Sequence, residues 1–583
     1  MTYWSYCPIS HHGPVAPPAP RGRAPAPPRR PALGALAAIG ASRFHRYDPP
    51  SVEYPVESFT PEERARLSAH FTNLDRPVFA LVNLPETVKG ALFARYSRYQ
   101  GTLRRLFLDE FADGLPEPRD SGDGAQGPGA EGGRAAELYE RIFVGFGDDS
   151  VAQLGGAHLA CEFVSNVLTK VLQRPRLGAY LEQSTRYLGY DAPMPDPPGG
   201  FRYYRDAELG PQYAAAMDEL FSIYSASLGG VRAWAEQEFP RADGEAPAAH
   251  ARAVRAKSLD LLRGLLPASS LSHMGMFATG QTYEQLVLHL LAHPLPEAQH
   301  YGRMILDELQ LVIPSFVARV PRPDRGGEWV RFLEQRERAG RRWAERLDLR
   351  EPVDGPSVTL LRAEGDEEDL LAALLFEAAA CSESIISEAI ANLGADQRAA
   401  LLAELVGERA NRRHRPGRGF EALRYRFEIV SDYGAFRDLQ RHRMLTVQWQ
   451  ALTPDLGAGV PDQVDLAGCG DEYRRALEIS QREYERLVEA GLARAAPYAL
   501  CLGYRIRFIL DLNAREAMQL IELRSGREGH PNYRAVAHEM HAQIAAVHPA
   551  VAAAMTHVDR DTEPRLERIL SEMRTQARAG AGT

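Results

Sequence analysis

Two distant segments of this chain share one spacing pattern, and each keeps the part that the other has lost. The segment that begins at Arg174 reads Arg-Pro-Arg and ends in Glu-Gln-Ser-Thr-Arg-Tyr at residues 182–187. The segment 441–443 keeps an Arg-His-Arg head but lacks that tail. With their first arginines aligned, the segments lie 267 residues apart (441 − 174), which predicts two copies of one module. Complementary loss further predicts that the two copies share one functional site.

The order of predicted elements supports this duplication. An apolar strand at 77–82 is followed by a helical pattern through Phe111, and a strand at 357–361 opens a second block that is helical through Leu393. With 583 residues, 45% of them hydrophobic, the chain is long enough for several packed cores. Apolar periodicity also predicts helices near the end of each block, at 259–267 and 284–291 in the first and 473–487 and 504–523 in the second.

These patterns divide the chain into five predicted segments. We expect a disordered Pro/Ala/Arg-rich tail at 1–47, a first module at 48–321, a linker at 322–356, a second module at 357–575 and a disordered tail at 576–583. The linker contains an amphipathic helix but no recognisable chemistry. The basic, acid-poor first tail also has the composition of a transit peptide, and a start codon assigned too early is a third explanation.

Composition excludes several classes of function. The net charge of −9, with basic residues spread along the chain, argues against a nucleic-acid binder. Five cysteines without a CxxC pair, and no HExxH motif, predict neither a disulfide framework nor a metal site. The same cysteine pattern favours the reducing cytosol, so we expect a cytoplasmic protein. The absence of a long apolar run predicts no transmembrane helix and no membrane partner. Of 68 basic residues only Lys89, Lys170 and Lys257 are lysine, so arginine abundance alone indicates little about phosphate binding.

The paired segments resemble the signature of the flavin-dependent thymidylate synthase family, an Arg-His-Arg head followed by Ser and then Asn-Glu-x-Ser-x-Arg-Tyr. The first copy keeps the family spacing but has Pro175, Ala179 and Leu181 in place of the head's His, the Ser and the Asn. Other elements resemble the family in order along both copies, at 147–153, 263–267, 298–303, 414–421 and 513–524. The resemblance covers most of the chain, roughly 76–320 and 357–555.

The losses carry as much information as the matches. The second copy has 449–454 where the family has its Glu-x-Ser-x-Arg-Tyr tail, and the first copy has no arginine between Arg263 and Arg303 where the family has Leu-Arg. Family members are homotetramers whose sites combine several subunits. The resemblance therefore implies a composite site within one chain and a homodimer that mimics the tetramer, with two competent and two degenerate sites. The implied fold is α+β, a small and mostly antiparallel sheet flanked by long helices, repeated in tandem.

The resemblance also implies roles for individual residues. Arginine forks hold phosphate oxygens through paired, charge-assisted hydrogen bonds. The implied contacts to deoxyuridylate (dUMP) are Glu182, Gln183, Ser184, Thr185, Arg186, Arg263 and Arg441. The implied contacts to the flavin dinucleotide (FAD) are Arg441, His442, Arg443, Glu421, Asn513 and Arg515. Arg524 is the implied catalytic residue, because a guanidinium beside the pyrimidine favours the base deprotonated at N3.

The implied reaction is reductive C5-methylation of dUMP to thymidylate (dTMP), with methylenetetrahydrofolate supplying the carbon and NADPH reducing the flavin. One alternative is methylation of another uridine nucleotide, because Ala179, Leu181, Asp438 and Gln448 depart from the family pattern. A second alternative is a catalytically inactive nucleotide- or flavin-binding protein that keeps only the fold. The motifs also have structural explanations, since 441–443 could be a solvated helix end and 184–187 a helix cap and turn.

Overall fold

The computed structural model of the protein describes residues 54–114, 153–194, 199–349 and 355–581. The tail predicted at 1–47 and most of the motif at 147–153 lie outside these residues. Helix α20 (Ile569–Ala581) covers most of the segment that the sequence analysis assigned to a disordered C-terminal tail. Arg252 explains this difference, because its guanidinium pairs with Glu572 at 2.8 Å and donates to Gln576 at 3.1 Å.

Each half of the chain contains one four-stranded antiparallel sheet with the same strand order. The first sheet has the order β1-β2-β4-β3 and the second the order β5-β6-β8-β7. The strands are β1 (Val78–Leu81), β2 (Gly156–Ser165), β3 (Gly178–Glu182), β4 (Leu271–Thr279), β5 (Ser357–Glu364), β6 (Arg424–Asp432), β7 (Leu445–Trp449) and β8 (Arg505–Asn513). The predicted α+β tandem duplication is therefore confirmed.

Helices surround both sheets. Those of the first half, within the described ranges, are α1 (Pro61–Ser68), α2 (Glu86–Tyr96), α3 (Leu103–Glu110), α4 (Asn166–Leu172), α5 (Gly210–Glu238), α6 (Pro247–Leu262), α7 (Gly280–Leu291), α8 (Pro296–Val312) and α9 (Pro314–Val317). The predicted linker contains α10 (Gly326–Arg346). The second half has α11 (Glu367–Leu375), α12 (Glu383–Ala391), α13 (Ala395–Val406), α14 (Tyr433–Leu439), α15 (Asp462–Leu466), α16 (Gly470–Glu489), α17 (Ala514–Arg524), α18 (Pro531–Val547), α19 (Pro549–Ala554) and α20. None of the helices so described is long and apolar enough to cross a membrane.

The two halves correspond residue by residue around the central strands. Helices α4 and α14 are offset by 267 at both ends (433 − 166 and 439 − 172), and so are β3 and β7. Strands β4 and β8 are offset by 234 (505 − 271 and 513 − 279), so the connection before β8 is 33 residues shorter (267 − 234). The alignment predicted from Arg174 and Arg441 thus holds in three dimensions.

Each central strand runs directly into a helix that its own last residue caps. Ser165 and Asp432 end β2 and β6, and their side chains accept hydrogen bonds from the first turns of α4 and α14. Thr279 and Asn513 end β4 and β8 and cap α7 and α17 in the same way. Such caps satisfy N–H groups that a helix start leaves unpaired. They fix the angle between strand and helix, and so the positions of the side chains on α14 and α17.

The halves join through the loops that precede β4 and β8. Ala268 N donates to Leu500 O at 2.7 Å and Leu502 N donates to Leu266 O at 2.9 Å, and both donors and acceptors are related by the offset of 234. Gly264 lies in the same loop, where a Cβ atom would stand 1.9 Å from Tyr473 Oη. Buried side chains of both halves form one continuous hydrophobic cluster. The two copies therefore share a core across a pseudo-twofold axis.

One predicted helix is wrong in its first half. The sequence analysis assigned helix to 504–523, but β8 occupies Arg505–Asn513 and α17 begins only at Ala514. Buried and partly buried residues alternate from Arg505 to Leu510, which is the two-residue period of a strand. Apolar residues at the junction with α17 continue the pattern, and so they concealed the boundary.

Candidate active site

Glu182, the last residue of β3, is a buried carboxylate that collects cationic side chains from both halves. Lys170 Nζ lies 2.8 Å from its Oε2 and Arg437 Nη2 lies 2.9 Å from its Oε1. Arg441 Nη2 lies 2.7 Å from Oε2, and Gln173 donates to the same oxygen at 2.9 Å. Burial raises the pKa of Glu182, but Lys170, Arg441 and Arg437 together hold it well below its ordinary value. The carboxylate is therefore ionised and fixes Arg441 against the first half.

His442 contacts two side chains of α17, Glu516 and Arg524. Its Nδ1 lies 2.8 Å from Glu516 Oε1, and its Nε2 accepts from Arg524 Nε at 3.2 Å. Burial lowers the pKa of His442, so the ring is neutral, with its proton on Nδ1 toward Glu516. The guanidinium of Arg524 also lies 5.5 Å from the centre of the Tyr533 ring. Arg524 is thus held from two sides, which limits its orientations.

Arg186 is anchored by Asp260 of α6. Its Nε and Nη2 donate to the two carboxylate oxygens at 2.7 and 2.6 Å, a bidentate geometry. Arg186 Nη1 also donates to Glu528 O and Tyr533 Oη, both at 3.2 Å. Asp260 and Arg186 come from the first half, whereas Glu528 and Tyr533 come from the second. This arginine therefore bridges the two halves.

Four arginines surround Asp438, and we call them the arginine cluster. They are Arg186, Arg263, Arg441 and Arg524. Arg263 Nη1 and Arg441 Nη1 each lie 3.4 Å from an Asp438 oxygen. Burial opposes ionisation of Asp438, but the four guanidinium groups hold its pKa far below its ordinary value. The two halves contribute two arginines each, so neither half could form the cluster alone.

Two nitrogen atoms of the arginine cluster make no hydrogen bond within the described residues. Arg263 Nη2 and Arg441 Nε are buried and have no hydrogen-bond partner within the described part of the chain. Buried polar groups are normally satisfied, and each exception calls for an explanation such as a ligand or ion. Cationic donors of this kind fit the oxygens of a phosphate or pyrophosphate. The donor set therefore fits an anionic nucleotide.

A cavity of about 630 Å³ opens beside the cluster. Asp260 and Arg263 of the first half line it together with Asp432, Arg505 and His530 of the second. Ligand pockets in proteins typically have volumes of a few hundred to a thousand Å³. Burial lowers the pKa of His530 to about 3, and Arg263 adds to this effect, so its ring is neutral. The cavity is large enough for a small ligand and is walled by both copies.

The structure brings some predicted residues to the cluster and leaves others outside it. Gln183 points into the first half, where it donates to Tyr99 O and accepts from Arg202. Ser184 lies next to Arg186 and accepts a hydrogen bond from its backbone N–H at 3.3 Å. Thr185 beside it is buried. Ser184 therefore contacts the backbone of a cluster arginine, whereas the side chain of Gln183 bonds to residues outside the cluster.

The residues predicted to contact the flavin lie in two separate places. Arg443 donates to Gln173 O at 3.2 Å, and its guanidinium lies 4.5 Å from the centre of the Tyr180 ring. Asn513 uses its amide oxygen to cap α17. Arg515 lies 3.7 Å from Glu421 and donates to Pro416 O at 3.1 Å. These last contacts form a separate group at the start of α17, and the flavin roles of all these residues remain predictions.

Sequence reasoning missed several members of the site. Lys170 and Gln173 correspond to Arg437 and Gln440 through the offset of 267, and Gln440 donates to Gln173 at 2.6 Å across the pseudo-twofold axis. The offset itself would have found these pairs. The rarity of lysine was a second signal, because Lys170 is one of only three in an arginine-rich chain. No sequence motif pointed to Asp260, because its contact with Arg186 depends on how α6 packs in the folded chain.

The pseudo-twofold axis generates a second, equivalent place, which we call the degenerate site. Trp449 stands where the first copy has Glu182, and Arg174, the counterpart of Arg441, lies 5.2 Å from the centre of the Trp449 ring. The counterparts of His442, Arg524 and Arg263 are Pro175, Leu290 and Pro497. The ion pair between Arg441 and Glu182 is thus replaced in the degenerate site by a cation–π contact between Arg174 and Trp449. The losses of both copies converge on one of the two sites.

The linker helix lies beside the degenerate site. Burial and the neighbouring Arg174 lower the pKa of His293 to about 4, opposed by Glu337 of α10. Burial lowers the pKa of Arg174, and the neighbouring Arg336 of α10 adds to this effect. Arg341 lines a cavity of about 400 Å³ together with Pro296 and Tyr498. The linker therefore contributes side chains to the degenerate site, although the sequence indicated no role for it.

Glu297 marks a further difference between the sites. Its Oε1 accepts from Ser165 N at 2.8 Å, and its Oε2 accepts from Ser165 Oγ and Tyr498 Oη, both at 2.6 Å. Helices α8 and α18 are offset by 235 (531 − 296 and 547 − 312), so the counterpart of Glu297 is Asn532. Asn532 donates instead to Asp432, the counterpart of Ser165, at 2.9 Å. Burial raises the pKa of Glu297 to about 7 in spite of these hydrogen bonds.

Comparison with known proteins identifies the class of this fold and site. A family model described as thymidylate synthase complementing protein matches residues 115–315 and again residues 361–550. The chain belongs to this family and carries two copies of its module. The family expected from the sequence motifs is thereby confirmed.

Two relatives match along nearly their whole length. A UPF0159 protein of Chlamydia muridarum is 37% identical over 537 residues, which cover 89% of this chain and 99% of the relative. A UPF0159 protein of Thermoplasma acidophilum is 30% identical over 524 residues, 84% of this chain and 99% of the relative. A crystal structure of the UMP/dUMP methylase PolB from Streptomyces cacaoi with 5-Br dUMP matches at 20% identity and a TM-score of 0.29, covering 36% of this chain and 98% of that one.

Replacing the buried carboxylate tests what holds the cluster. We expect Glu182→Gln to lower the free energy of unfolding by about 3–5 kcal/mol, because three cations lose their shared counter-charge. Glu86→Gln, at an exposed pair with Lys89, should change it by less than about 0.5 kcal/mol. Urea unfolding measures both variants. Because the pKa of Glu182 is depressed, its contribution is present above the ordinary carboxyl pKa and is lost as pH falls, so the wild-type advantage should shrink below about pH 4. Equal effects of the two substitutions would contradict this role.

Glu297 in the degenerate site should make the free energy of unfolding depend on pH near neutrality. Because the pKa of Glu297 is raised, its stabilising contribution is present at pH 4 and is lost as pH rises to about 7. We expect wild type to lose about 2 kcal/mol relative to Glu297→Gln between pH 5 and pH 8, with most of the change below pH 7. Unfolding of both proteins across this range measures the difference. A difference that stays constant with pH would show that Glu297 is ionised throughout.

Proposed function

We propose that this protein is a flavin-dependent thymidylate synthase that methylates dUMP to dTMP at one composite site per chain. The observation that supports this most is the arginine cluster, in which the two halves supply two arginines each and leave buried donors unpaired. Membership in the thymidylate synthase complementing family supports a methyltransferase-type enzyme. Methylenetetrahydrofolate would supply the carbon and NADPH the reducing equivalents.

The substrate phosphate would bind to the first half's contribution to the cluster. Arg186 and Arg263 bring two guanidinium groups, and Ser184 brings a hydroxyl next to Arg186. The bidentate pair with Asp260 already fixes Arg186, so binding would order little further side-chain freedom. Arg263 Nη2 makes no hydrogen bond within the described residues and lies 3.9 Å from Asp432 Oδ1, so it could donate to a phosphate oxygen.

Arg524 would lie beside the pyrimidine and stabilise the negative charge that develops there. Its hydrogen bond to the neutral His442 and its contact with Tyr533 restrict its motion. A fixed cation costs no reorganisation when charge develops, which is why such groups contribute strongly to catalysis. His442 is then a positioning residue that acts through Arg524.

The remaining donors would hold the cofactor. Arg441, whose Nε is free of hydrogen bonds within the described residues, would contact the FAD pyrophosphate together with His442 and Arg443. Glu421, Asn513 and Arg515 are proposed as more distant FAD contacts. When bound, the flavin supplies the hydride that completes the methyl group. The chain supplies the anion-binding groups and the fixed cation near the base.

A fused dimer is the assembly that this proposal favours. Two chains would reproduce the four modules of a tetramer, with two competent and two degenerate sites. Sedimentation equilibrium of the purified protein tests this directly. A mass of one chain at assay concentrations would contradict it, whereas a mass of two chains would support it.

The pseudo-twofold axis offers a matched pair of variants for the activity. We expect Arg441→Gln to reduce dTMP formation by at least about 100-fold, since loss of one preorganised cationic donor has effects of this size. Arg174→Gln, the equivalent change in the degenerate site, should leave the rate within about twofold of wild type. Product is measured anaerobically from dUMP, NADPH and methylenetetrahydrofolate with FAD present. Parallel assays with UMP test the alternative substrate, and the absorbance spectrum reports bound flavin.

The outcomes separate the candidate functions. Formation of dTMP that depends on Arg441 supports the proposal. Methylation of UMP in preference to dUMP would move the function to another uridine nucleotide. If the protein binds no flavin and forms neither product, then the function that remains is that of a catalytically inactive homologue.

A further inference from the structure

Asp438 stands where the four arginines of the cluster meet, yet it holds none of them closely. Its carboxylate oxygens lie 3.4 Å from Arg263 Nη1 and 3.4 Å from Arg441 Nη1. Both distances are at the outer limit for a hydrogen bond. Arg186 and Arg524 act on it through charge alone. Its influence on the cluster is therefore mainly electrostatic.

Other groups already orient the arginines. Arg441 has Glu182 at 2.7 Å, and Arg186 has the bidentate pair with Asp260. Arg524 has His442 at 3.2 Å. Each of these contacts is shorter than those of Asp438. Removing the charge of Asp438 should thus leave three of the four guanidinium groups anchored.

We propose that Asp438 is a specificity-determining residue, a resident carboxylate at the centre of the anion site that limits affinity according to the ligand's charge. The site would thereby favour a nucleoside monophosphate over the more highly charged di- and triphosphates. The identity of the ligand as a uridine nucleotide rests on the proposed function. The charge selection itself rests only on the geometry of the cluster.

The physical argument has two parts. Without ligand, four converging guanidinium groups repel one another, and a central carboxylate reduces that repulsion. With ligand, the phosphate enters beside the same carboxylate and is repelled by it in proportion to its own charge. Asp438 therefore stabilises the empty site and lowers the affinity of the filled one. An uncharged nucleoside experiences neither effect to first order.

Binding to the Asp438→Asn variant tests the inference. We expect dUMP to bind about 10-fold more tightly than to wild type, which is about 1.4 kcal/mol, and dUDP to gain more than dUMP. Deoxyuridine should bind with unchanged affinity. The gains for the nucleotides should shrink in high salt, since charge carries them. Isothermal titration calorimetry of the full-length protein provides these values without requiring turnover.

Two further variants control the experiment. Asp511 also pairs with two arginines, Arg424 and Arg426, but lies on β8 outside the cluster, so Asp511→Asn should not change nucleotide affinity. Asp438→Glu retains the charge and should stay within about threefold of wild type. If Asp438→Asn weakens dUMP binding, then the carboxylate is a direct acceptor from the ligand and the inference is overturned. An equal change for deoxyuridine would overturn it as well.

A melting experiment keeps the inference testable if Asp438→Asn is unstable. Inorganic phosphate should raise the melting temperature of this variant by more than it raises that of wild type or Asp511→Asn, because the anion replaces the missing carboxylate. Equal shifts for all three proteins would contradict the inference. If binding follows these expectations but no dTMP forms, then the charge selection stands and the proposed function fails.

Discussion

A single buried carboxylate, Glu182, joins cationic side chains of the two halves in one place. It ends β3 of the first copy and binds Lys170 from its own half and Arg437 and Arg441 from the other. A buried charge is costly unless it is paired, so this arrangement tolerates few alternatives. Once Arg441 is fixed, His442 and the Arg524 that bonds to it are positioned as well. The composite character of the site rests on these contacts across the pseudo-twofold axis, together with those of Arg186 to Glu528 and Tyr533.

Fusion of the two copies explains how one site could decay without loss of the other. In a homotetramer each residue occurs in every site, so a substitution damages all of them. In a fused pair the first copy's tail and the second copy's head belong to one site, and their counterparts belong to the other. Trp449, Pro175, Leu290 and Pro497 all fall in the degenerate site. Their apolar character removes the need for a ligand to satisfy charge there, and Arg174 finds the Trp449 ring instead.

Much of the fold and part of the site could be predicted from the sequence. The offset of 267 between Arg174 and Arg441 matches the bounds of α4, α14, β3 and β7, because motif and elements repeat together. The strand β8 was mistaken for helix, since its apolar pattern continues into α17. Asp260 and Tyr533 could not be found, because their contacts to Arg186 depend on how distant helices pack. The electrostatic position of Asp438 likewise became visible only when the four arginines were seen together.

The most direct test of this account is the number of nucleotides bound per chain at saturation. Equilibrium dialysis with radiolabelled dUMP, at concentrations well above the dissociation constant, measures it without any need for catalysis. The account predicts one nucleotide per chain, abolished or greatly weakened by Arg441→Gln and unaffected by Arg174→Gln. Two nucleotides per chain, or equal sensitivity to both substitutions, would contradict the central claim that the two copies build one competent site between them.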